Sequence, residues 1–212
     1  MPEASLSKSV HMVAVRDDVV ILDVSADRYS CLAGAAPMLA FPRPGIVSAD
    51  ADILRELAAA NLVVSGNPIL DRRAPVAPRA ELPLRTNSSG LKCFDTALRT
   101  LAVTAVFRRR ALAQLVAGAH ETSRPTTPAR LDRVAARASA YRAVLPYLPF
   151  EGLCLQRAYQ LRQVLAADGL GVDWVFGVRT WPFFAHCWLQ HDDLVIADRL
   201  ERVRAFTPIA VF

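Results

Sequence analysis

The sequence predicts an α+β fold in two parts, because the period of its apolar residues changes along the chain. Residues 1–67 contain short strand-like runs followed by one helical run. Residues 89–169 have apolar residues at helical spacing, and residues 172–197 switch to a period of two. Helices followed by an antiparallel sheet are typical of the α+β class.

The amino-acid composition is typical of a globular protein with a hydrophobic core. With 212 residues, 53% of them hydrophobic, the chain is long enough for one large domain or two small ones with a true core. No apolar run approaches the ~20 residues that span a bilayer, and the N-terminus lacks the apolar stretch of a signal peptide. We therefore expect a cytoplasmic protein without membrane contact. The four cysteines show no CxxC spacing, which argues against a disulfide framework and a structural zinc site.

The net charge of +5 does not indicate a nucleic-acid partner. Nearly all of the positive charge is arginine, and its densest cluster, Arg108–Arg110, lies within a helical pattern that favours a solvated helix face. The helical segment at 50–60 carries three acidic residues and one arginine, so its charge is negative. A helix that reads DNA would be basic.

Residues 1–67 are predicted to form a small domain of winged-helix type. Three strand-like runs, Val10–Val15, Val19–Val24 and Tyr29–Leu32, are separated by short turns and predict an antiparallel meander. Asp50 then precedes a helix that runs to Ala60. Residues 68–88 contain four prolines among charged residues and are typical of an extended linker.

Residues 89–212 are predicted to form the second domain. Leu91, Phe94 and Leu98 follow helical spacing, and Thr127 with Pro128 predicts the start of another helix. Cys154 opens a third helix. Strands are then predicted at 172–178, 184–189 and 194–197, with a hairpin turn at 191–193.

Cys154 is the cysteine best placed for chemistry. It lies at the first turn of a predicted helix, where unbonded backbone N–H groups and the helix dipole favour the thiolate, which is the nucleophilic form. His186 lies on a strand, and Asp198 ends the next strand across a tight hairpin. A carboxylate there can accept one imidazole N–H while the other ring nitrogen faces Cys154. The three residues in this order predict a catalytic triad.

The other three cysteines, Cys31, Cys93 and Cys187, are predicted to be buried small hydrophobic residues. Cys187 directly follows His186 in a strand, so its side chain is expected on the opposite face. A zinc site built around these two residues would have poor spacing. We expect neither a metal nor an organic cofactor.

Three separated blocks carry a family resemblance. They are residues 154–161 (CLQRAYQL), 177–188 (GVRTWPFFAHCW) and 195–198 (VIAD). In this order they resemble the B proteins, the maturation proteases of lasso-peptide biosynthesis, which belong to the transglutaminase-like, papain-related superfamily. The sequence departs from the pattern at Cys187, where a small residue such as alanine is usual.

The resemblance implies a cysteine protease that removes the leader peptide from a ribosomally made lasso-peptide precursor. The matching catalytic positions are Cys154, His186 and Asp198. Residues 1–67 resemble the leader-peptide recognition element fused to some of these proteases. The precursor, held by its leader, and an ATP-using cyclase that resembles asparagine synthetase are the implied partners. The sequence leaves open whether ATP affects proteolysis.

The N-terminal part has a candidate peptide-binding edge. The third strand, beside the helix, would form an edge and a groove that accept an extended peptide as an added strand. The candidate leader-binding residues are Tyr29, Cys31, Ile53, Leu54 and Leu57.

Three alternatives remain open from the residues alone. An acyl transferase of transglutaminase type uses the same triad order, and would pass the acyl group to an amine instead of water. A non-catalytic adaptor that binds the leader is the second, although the presence of all three triad residues disfavours it. A winged-helix regulator with a degenerate second domain is the third.

Overall fold

A computed structural model describes residues 1–64, 72–84, 89–117, 127–149 and 152–212 of the chain. The chain divides into two compact units. The first consists of Met1–Pro75, Gly177–Ala185 and Thr207–Val211, and the second of Val76–Phe176, His186–Phe206 and Phe212. Each unit therefore combines segments that are distant in the sequence. Within the described ranges, no helix is both long enough and apolar enough to span a bilayer.

The first unit contains two small sheets and one α-helix in residues 1–64. In chain order the elements are β1 (Glu3–Leu6), β2 (Val10–Val15), β3 (Asp18–Asp23), β4 (Arg28–Leu32), β5 (Ala40–Arg43), β6 (Ile46–Ser48), α1 (Ala51–Ala59) and β7 (Val63–Val64). A 3₁₀ turn at Ala36–Met38 lies between β4 and β5. One sheet has the order β5-β6-β1-β7 and the other β2-β3-β4. The winged-helix arrangement stays a prediction.

The predicted meander of three strands is confirmed as β2, β3 and β4. β2 and β3 pair antiparallel across a two-residue turn in which Arg16 has a φ of 56°. The central strand, β3, is almost wholly buried, whereas β4 is mostly exposed. Cys31 on β4 is exposed, so the prediction that it is buried is wrong. The reason is that β4 is an outer strand of its sheet.

The core of the first unit is apolar, and α1 packs onto it. Asp50 precedes α1 as predicted, although its side chain makes no capping hydrogen bond. Leu57 is buried in the core, and Ile53 and Leu54 pack against it while partly exposed. The three residues therefore lie on the side of α1 that faces the core.

The second unit contributes five helices from its described residues. They are α2 (Gly90–Phe107), α3 (Leu112–Ala117), α4 (Pro128–Val144), α5 (Cys154–Ala167) and α6 (Leu200–Arg204). Thr127 caps α4 as predicted, since its side chain accepts a hydrogen bond from the backbone N–H of Arg130, and Pro128 follows as the first helical residue. Ser89 caps α2 in the same way. The local sequence thus determines where these two helices begin.

The buried face of α2 is a line of threonines. Thr96, Thr100 and Thr104 are nearly inaccessible, and each hydroxyl donates to the carbonyl oxygen four residues earlier at 2.7 Å. The apolar residues whose spacing predicts the helix lie on its exposed side. Leu91 is 86% exposed and Phe94 is 66% exposed. The spacing therefore predicts the helix correctly but not its buried face.

Polar side chains from α4 and α5 meet these threonines. The guanidinium of Arg137 donates to the Thr96 hydroxyl at 2.9 Å. The amide of Gln160 donates to the Thr104 hydroxyl at 2.7 Å, and the Tyr141 hydroxyl donates to the Gln160 amide oxygen at 2.7 Å. The polar threonine face can be buried because these side chains form hydrogen bonds with the hydroxyls of Thr96 and Thr104.

A five-stranded sheet has the order β12-β9-β10-β11-β8. Its strands are β8 (Ala80–Glu81), β9 (Asp173–Arg179), β10 (Phe184–His191), β11 (Leu194–Ile196) and β12 (Thr207–Val211). β8 lies within the predicted linker and pairs in parallel with β11. The remaining described linker residues, 72–79 and 82–84, have no helix or strand. The predicted linker therefore supplies an outer strand of the sheet.

Candidate active site

Cys154 is the first residue of α5, as the sequence predicts. The side chain of the N-cap residue, Leu153, makes no capping hydrogen bond and leaves the backbone N–H groups of the first turn to other acceptors. These groups and the helix dipole favour a negative charge at this end of the helix. Cys154 is partly exposed, so a substrate can reach it.

Two neighbouring residues on β10, Cys187 and His186, favour the ionised form of Cys154. The groups that act on its pKa are the thiol of Cys187, the imidazole of His186 and the backbone N–H of Cys187. The bond from the Cys187 thiol has the largest effect, and together the three outweigh the opposing effect of burial and lower the pKa of Cys154 to about 4. At neutral pH, Cys154 is therefore a thiolate.

His186 lies on β10 and contacts both Cys154 and Asp198. Its Nε2 atom is 2.6 Å from Oδ2 of Asp198. The rings of Trp188 and Phe206 lie beside it, with centroid distances of 6.1 and 5.3 Å. Burial disfavours the charged ring, but the hydrogen bonds to Asp198 and Cys154 outweigh it and raise the pKa of His186 to about 9. The ring is therefore an imidazolium at neutral pH.

The backbone after β11 directs Asp198 toward His186. β10 and β11 pair antiparallel and are joined by a two-residue turn at 192–193. Ala197 then adopts a φ of 57°, a left-handed conformation that costs a non-glycine residue about 1 kcal/mol. The backbone N–H of Arg199 donates to Oδ1 of Asp198 at 2.7 Å. Burial opposes ionisation of this carboxyl, but the bonds from His186 and Arg199 lower the pKa of Asp198.

Cys187 is the residue at this site that sequence reasoning missed. It is buried, as predicted, but its thiol also bonds to Cys154. The bond to Cys154 and burial raise the pKa of Cys187 well above its ordinary value. The feature of the sequence that could have indicated a place for Cys187 at the site is its position directly after His186.

The arrangement supports acyl chemistry. At neutral pH the thiolate of Cys154, the imidazolium of His186 and the carboxylate of Asp198 lie next to one another in this order. A thiolate attacks a carbonyl carbon, and a neighbouring imidazolium can protonate the group that leaves. Within the described part of the chain, no three histidine, cysteine or acidic side chains are grouped as metal ligands.

The five candidate leader-binding residues all lie in the first unit but differ in exposure. Leu57 is buried in the core, and Ile53 and Leu54 face it. These three therefore offer little surface to a peptide. Tyr29 and Cys31 occupy alternate positions on β4, so they share one face of the strand.

A small apolar cavity of about 110 Å³ lies beside β4. The Tyr29 and Phe183 rings are 5.6 Å apart at its wall. Trp181 is largely exposed, and its indole N–H donates to Asp18 at 2.7 Å. The lining residues are Tyr29, Ser30, Cys31, Thr180, Trp181 and Phe183.

Comparison with known families gives a match over residues 97–211, more than half of the chain, to the transglutaminase-like superfamily. The chain belongs to this superfamily. No curated protein and no solved structure matches the chain.

The transglutaminase-like domain covers the elements that carry the site. Its range includes most of α2, all of α5 and the strands β9 to β12, and it contains Cys154, His186, Asp198 and Cys187. The superfamily commonly holds cysteine peptidases and transferases. Membership therefore confirms the coarse part of the resemblance that the sequence carries, namely a transglutaminase-like domain in a protein of mixed helices and strands.

Proposed function

We propose that the protein is a cysteine peptidase that removes the leader peptide from a ribosomally synthesised lasso-peptide precursor. Cys154 is the nucleophile, His186 the proton donor and acceptor, and Asp198 the residue that orients His186. The observation that carries the proposal is the 2.6 Å contact between Nε2 of His186 and Oδ2 of Asp198. It is supported by Cys154 at the start of α5, whose pKa Cys187 and His186 lower.

In the first step, Sγ of Cys154 attacks the carbonyl carbon of the scissile peptide bond. The C–N bond then breaks, and the imidazolium of His186 gives its proton to the departing amine. The leader fragment remains attached to Cys154 as a thioester. In the second step His186, now neutral, takes a proton from water, the resulting hydroxide attacks the thioester, and the Cys154 thiolate leaves.

We propose further that residues 1–67 bind the leader and that residues 89–212 cleave it. β4 has β3 as its only partner among the described strands, so one edge can accept an extended peptide. Tyr29 and Cys31 lie along that strand next to the aromatic cavity, which suits an apolar side chain of the peptide. Holding the leader raises the local concentration of the scissile bond at Cys154.

The partners follow from the same proposal. The precursor peptide is the substrate, and the released core peptide passes to an ATP-dependent cyclase of asparagine-synthetase type. Both reactions take place in the cytoplasm. The proposed peptidase needs no metal or organic cofactor of its own, because the thiolate and the imidazolium supply the nucleophile and the proton.

The test uses the purified chain and the precursor peptide encoded beside its gene. We expect two fragments whose masses together equal the precursor plus one water, and no fragments with the Cys154→Ala variant. A leader fragment attached to an added primary amine in place of water would instead show an acyl transferase. Leader binding without any cleavage would show an adaptor. A gene neighbourhood without a short precursor gene would contradict the lasso-peptide assignment.

A further inference from the structure

We propose that Glu81 is a positioning residue of the active site, whose carboxylate holds the start of α6 and thereby keeps Asp198 in contact with His186. Glu81 lies on β8, ahead of the residues that match the transglutaminase-like superfamily, 97–211. The inference rests on the proposed role of Asp198 in orienting His186. It extends the active site to a segment that the family match leaves out.

Backbone hydrogen bonds hold β8 along β11. The two strands run parallel, with Glu81 opposite Val195. The backbone N–H of Leu82 donates to the Val195 carbonyl oxygen at 2.8 Å, and that of Arg79 donates to the Asp193 carbonyl oxygen at 2.8 Å. The Leu82 side chain is buried. The position of Glu81 along the sheet is therefore fixed by contacts on both of its sides in the chain.

The Glu81 side chain reaches from β8 to the first residue of α6. Its Oε1 atom accepts a hydrogen bond from the backbone N–H of Leu200 at 2.7 Å. The first N–H groups of a helix have no partner within the helix, and the side chain of the N-cap residue, Arg199, makes no capping bond. Glu81 thus supplies from a neighbouring strand the acceptor that a capping side chain usually supplies.

The start of α6 in turn holds Asp198. The backbone N–H of Arg199 donates to Oδ1 of Asp198 at 2.7 Å, while Oδ2 is 2.6 Å from Nε2 of His186. The N–H groups of Arg199 and Leu200 belong to consecutive peptide units, so release of the second loosens the first. On the other side of Asp198, Ala197 has a φ of 57°, a conformation that a non-glycine residue keeps only with support from its surroundings.

Two further groups act on the pair formed by His186 and Asp198. Nη1 of Arg202 lies 3.7 Å from Oδ1 of Asp198, but its side chain is 60% exposed, which makes it a weak constraint. Cys154 on α5 acts on His186. Neither residue lies on β8, so both are retained when the Glu81 side chain is changed.

Without the Glu81 carboxylate, Asp198 should hold its contact with His186 for only part of the time. Because full loss of the Asp198 carboxylate should cost ten- to a thousandfold, partial loss of its position should lower kcat by about three- to tenfold and leave KM unchanged. The carboxylate also favours the charged imidazolium. The pKa of His186 should therefore fall by about half a pH unit, a fraction of the shift that a neighbouring opposite charge produces.

The experiment has two readouts on the full-length chain. Nuclear magnetic resonance of histidine-labelled protein follows the titration of His186, identified as the signal that is missing from a His186→Gln variant. This readout needs no substrate. Cleavage of the precursor peptide gives kcat and KM separately, and thermal melting shows whether each variant is folded.

Four variants separate the contact from the charge. Glu81→Ala removes the acceptor, and Glu81→Gln keeps a side-chain oxygen for the N–H of Leu200. Glu81→Thr is too short to reach Leu200 but favours a strand, so it replaces the alanine variant if that variant does not fold. Glu201→Ala is the matched control, since it removes a carboxylate from the first turn of the same helix.

We expect a lower His186 titration midpoint and a lower kcat for Glu81→Ala and Glu81→Thr. Glu81→Gln and Glu201→Ala should stay within about twofold of the parent kcat. A parental midpoint and kcat in Glu81→Ala would overturn the proposal, as would equal losses in the alanine and glutamine variants or in the control. A lowered midpoint in a protein that cleaves no precursor would retain the role of Glu81 while rejecting the peptidase.

Discussion

Nε2 of His186 lies 2.6 Å from Oδ2 of Asp198, so this nitrogen is committed to the carboxylate. The remaining ring nitrogen, Nδ1, is the one available to Cys154 in the proposed triad. Asp198 thereby sets both the orientation of the ring and the tautomer left after proton transfer. Much of the proposed chemistry depends on this one contact.

Replacing Asp198 with asparagine should slow cleavage by about ten- to a thousandfold. The loss should be smaller than the ~10⁴ of the serine-protease template, because the thiolate and the imidazolium form before substrate binds. Without the carboxylate the pKa of His186 falls, so the alkaline limit of activity should also move to lower pH. Rates and melting temperature are measured together on Asp198→Asn and on His186→Ala, which should be slower still.

A full cleavage rate in Asp198→Asn, with only the melting temperature lowered, would remove Asp198 from the proposed triad. Arg202→Gln is a suitable control. It removes a partner of Asp198 that lies 3.7 Å away and is largely exposed, so little change in rate is expected.

Cleavage should follow a bell-shaped pH profile with limbs near pH 4 and pH 9. The lower limb is the protonation of Cys154, whose pKa is lowered to about 4 by bonds from Cys187 and His186. The upper limb is the loss of the proton from His186, whose pKa is raised to about 9 against the effect of burial by Asp198 and Cys154. The rate should therefore rise through pH 4, stay level, and fall through pH 9. A profile of kcat/KM with a single limb near pH 7 would contradict the ion pair.

Iodoacetamide at pH 6 should label Cys154 about three- to tenfold faster than Cys31, although Cys31 is the more exposed cysteine. Burial of its sulfur and the nearby charge of Asp18 raise the pKa of Cys31, so its thiolate is scarce at this pH. The lower intrinsic nucleophilicity of the Cys154 thiolate offsets only part of that difference. Peptide mapping after brief labelling measures both rates. Faster labelling of Cys31 would show that exposure, and not ionisation, governs reactivity.

Phe183→Ala should weaken leader binding by about tenfold if the peptide docks beside β4, because an aromatic side chain that lines a small cavity carries a large share of binding energy. The measurement is a titration of labelled leader peptide into the full-length Cys154→Ala chain. Phe94→Ala is the matched control, since it removes an exposed aromatic ring from α2. Equal affinities for the two variants would place the leader elsewhere.

Tyr141→Phe should lower the free energy of unfolding by about 1–3 kcal/mol. The buried hydroxyl of Tyr141 donates to the Gln160 amide oxygen at 2.7 Å, and Gln160 is itself fully buried. Removing the donor leaves that oxygen without a partner. Urea denaturation measures the change. Tyr147→Phe, at a residue that is 86% exposed, should change the free energy by much less.

Sequence reasoning placed the local features of the site well. The N-cap at Thr127, the start of α5 at Cys154 and the hairpin between His186 and Asp198 all depend on residues close together in the chain. Helix caps and turn residues act over one or two turns, so they can be read directly from the sequence.

Contacts between distant segments could not be predicted in the same way. The pairing of β8 with β11 joins Ala80 to Leu194, and nothing in a proline-rich stretch specifies that partner. The exposed apolar side of α2 was unpredictable for a related reason. Its threonines are buried because other helices supply polar partners for them. The periodicity of apolar residues depends on α2 alone and contains no information about those partners. The effect of Cys187 on the pKa of Cys154 likewise joins residues of α5 and β10 that are distant in the sequence.

The buried hydrogen bonds from Thr104 through Gln160 to Tyr141 limit how α5 can slide along its own axis. Apolar contacts change gradually when a helix shifts, but a hydrogen bond of 2.7 Å is lost within about an ångström. Gln160 lies roughly 9 Å along the helix from Cys154, at 1.5 Å per residue. Because these hydrogen bonds determine the position of α5 along its axis, substitutions in the surrounding apolar core can accumulate without moving the sulfur of Cys154.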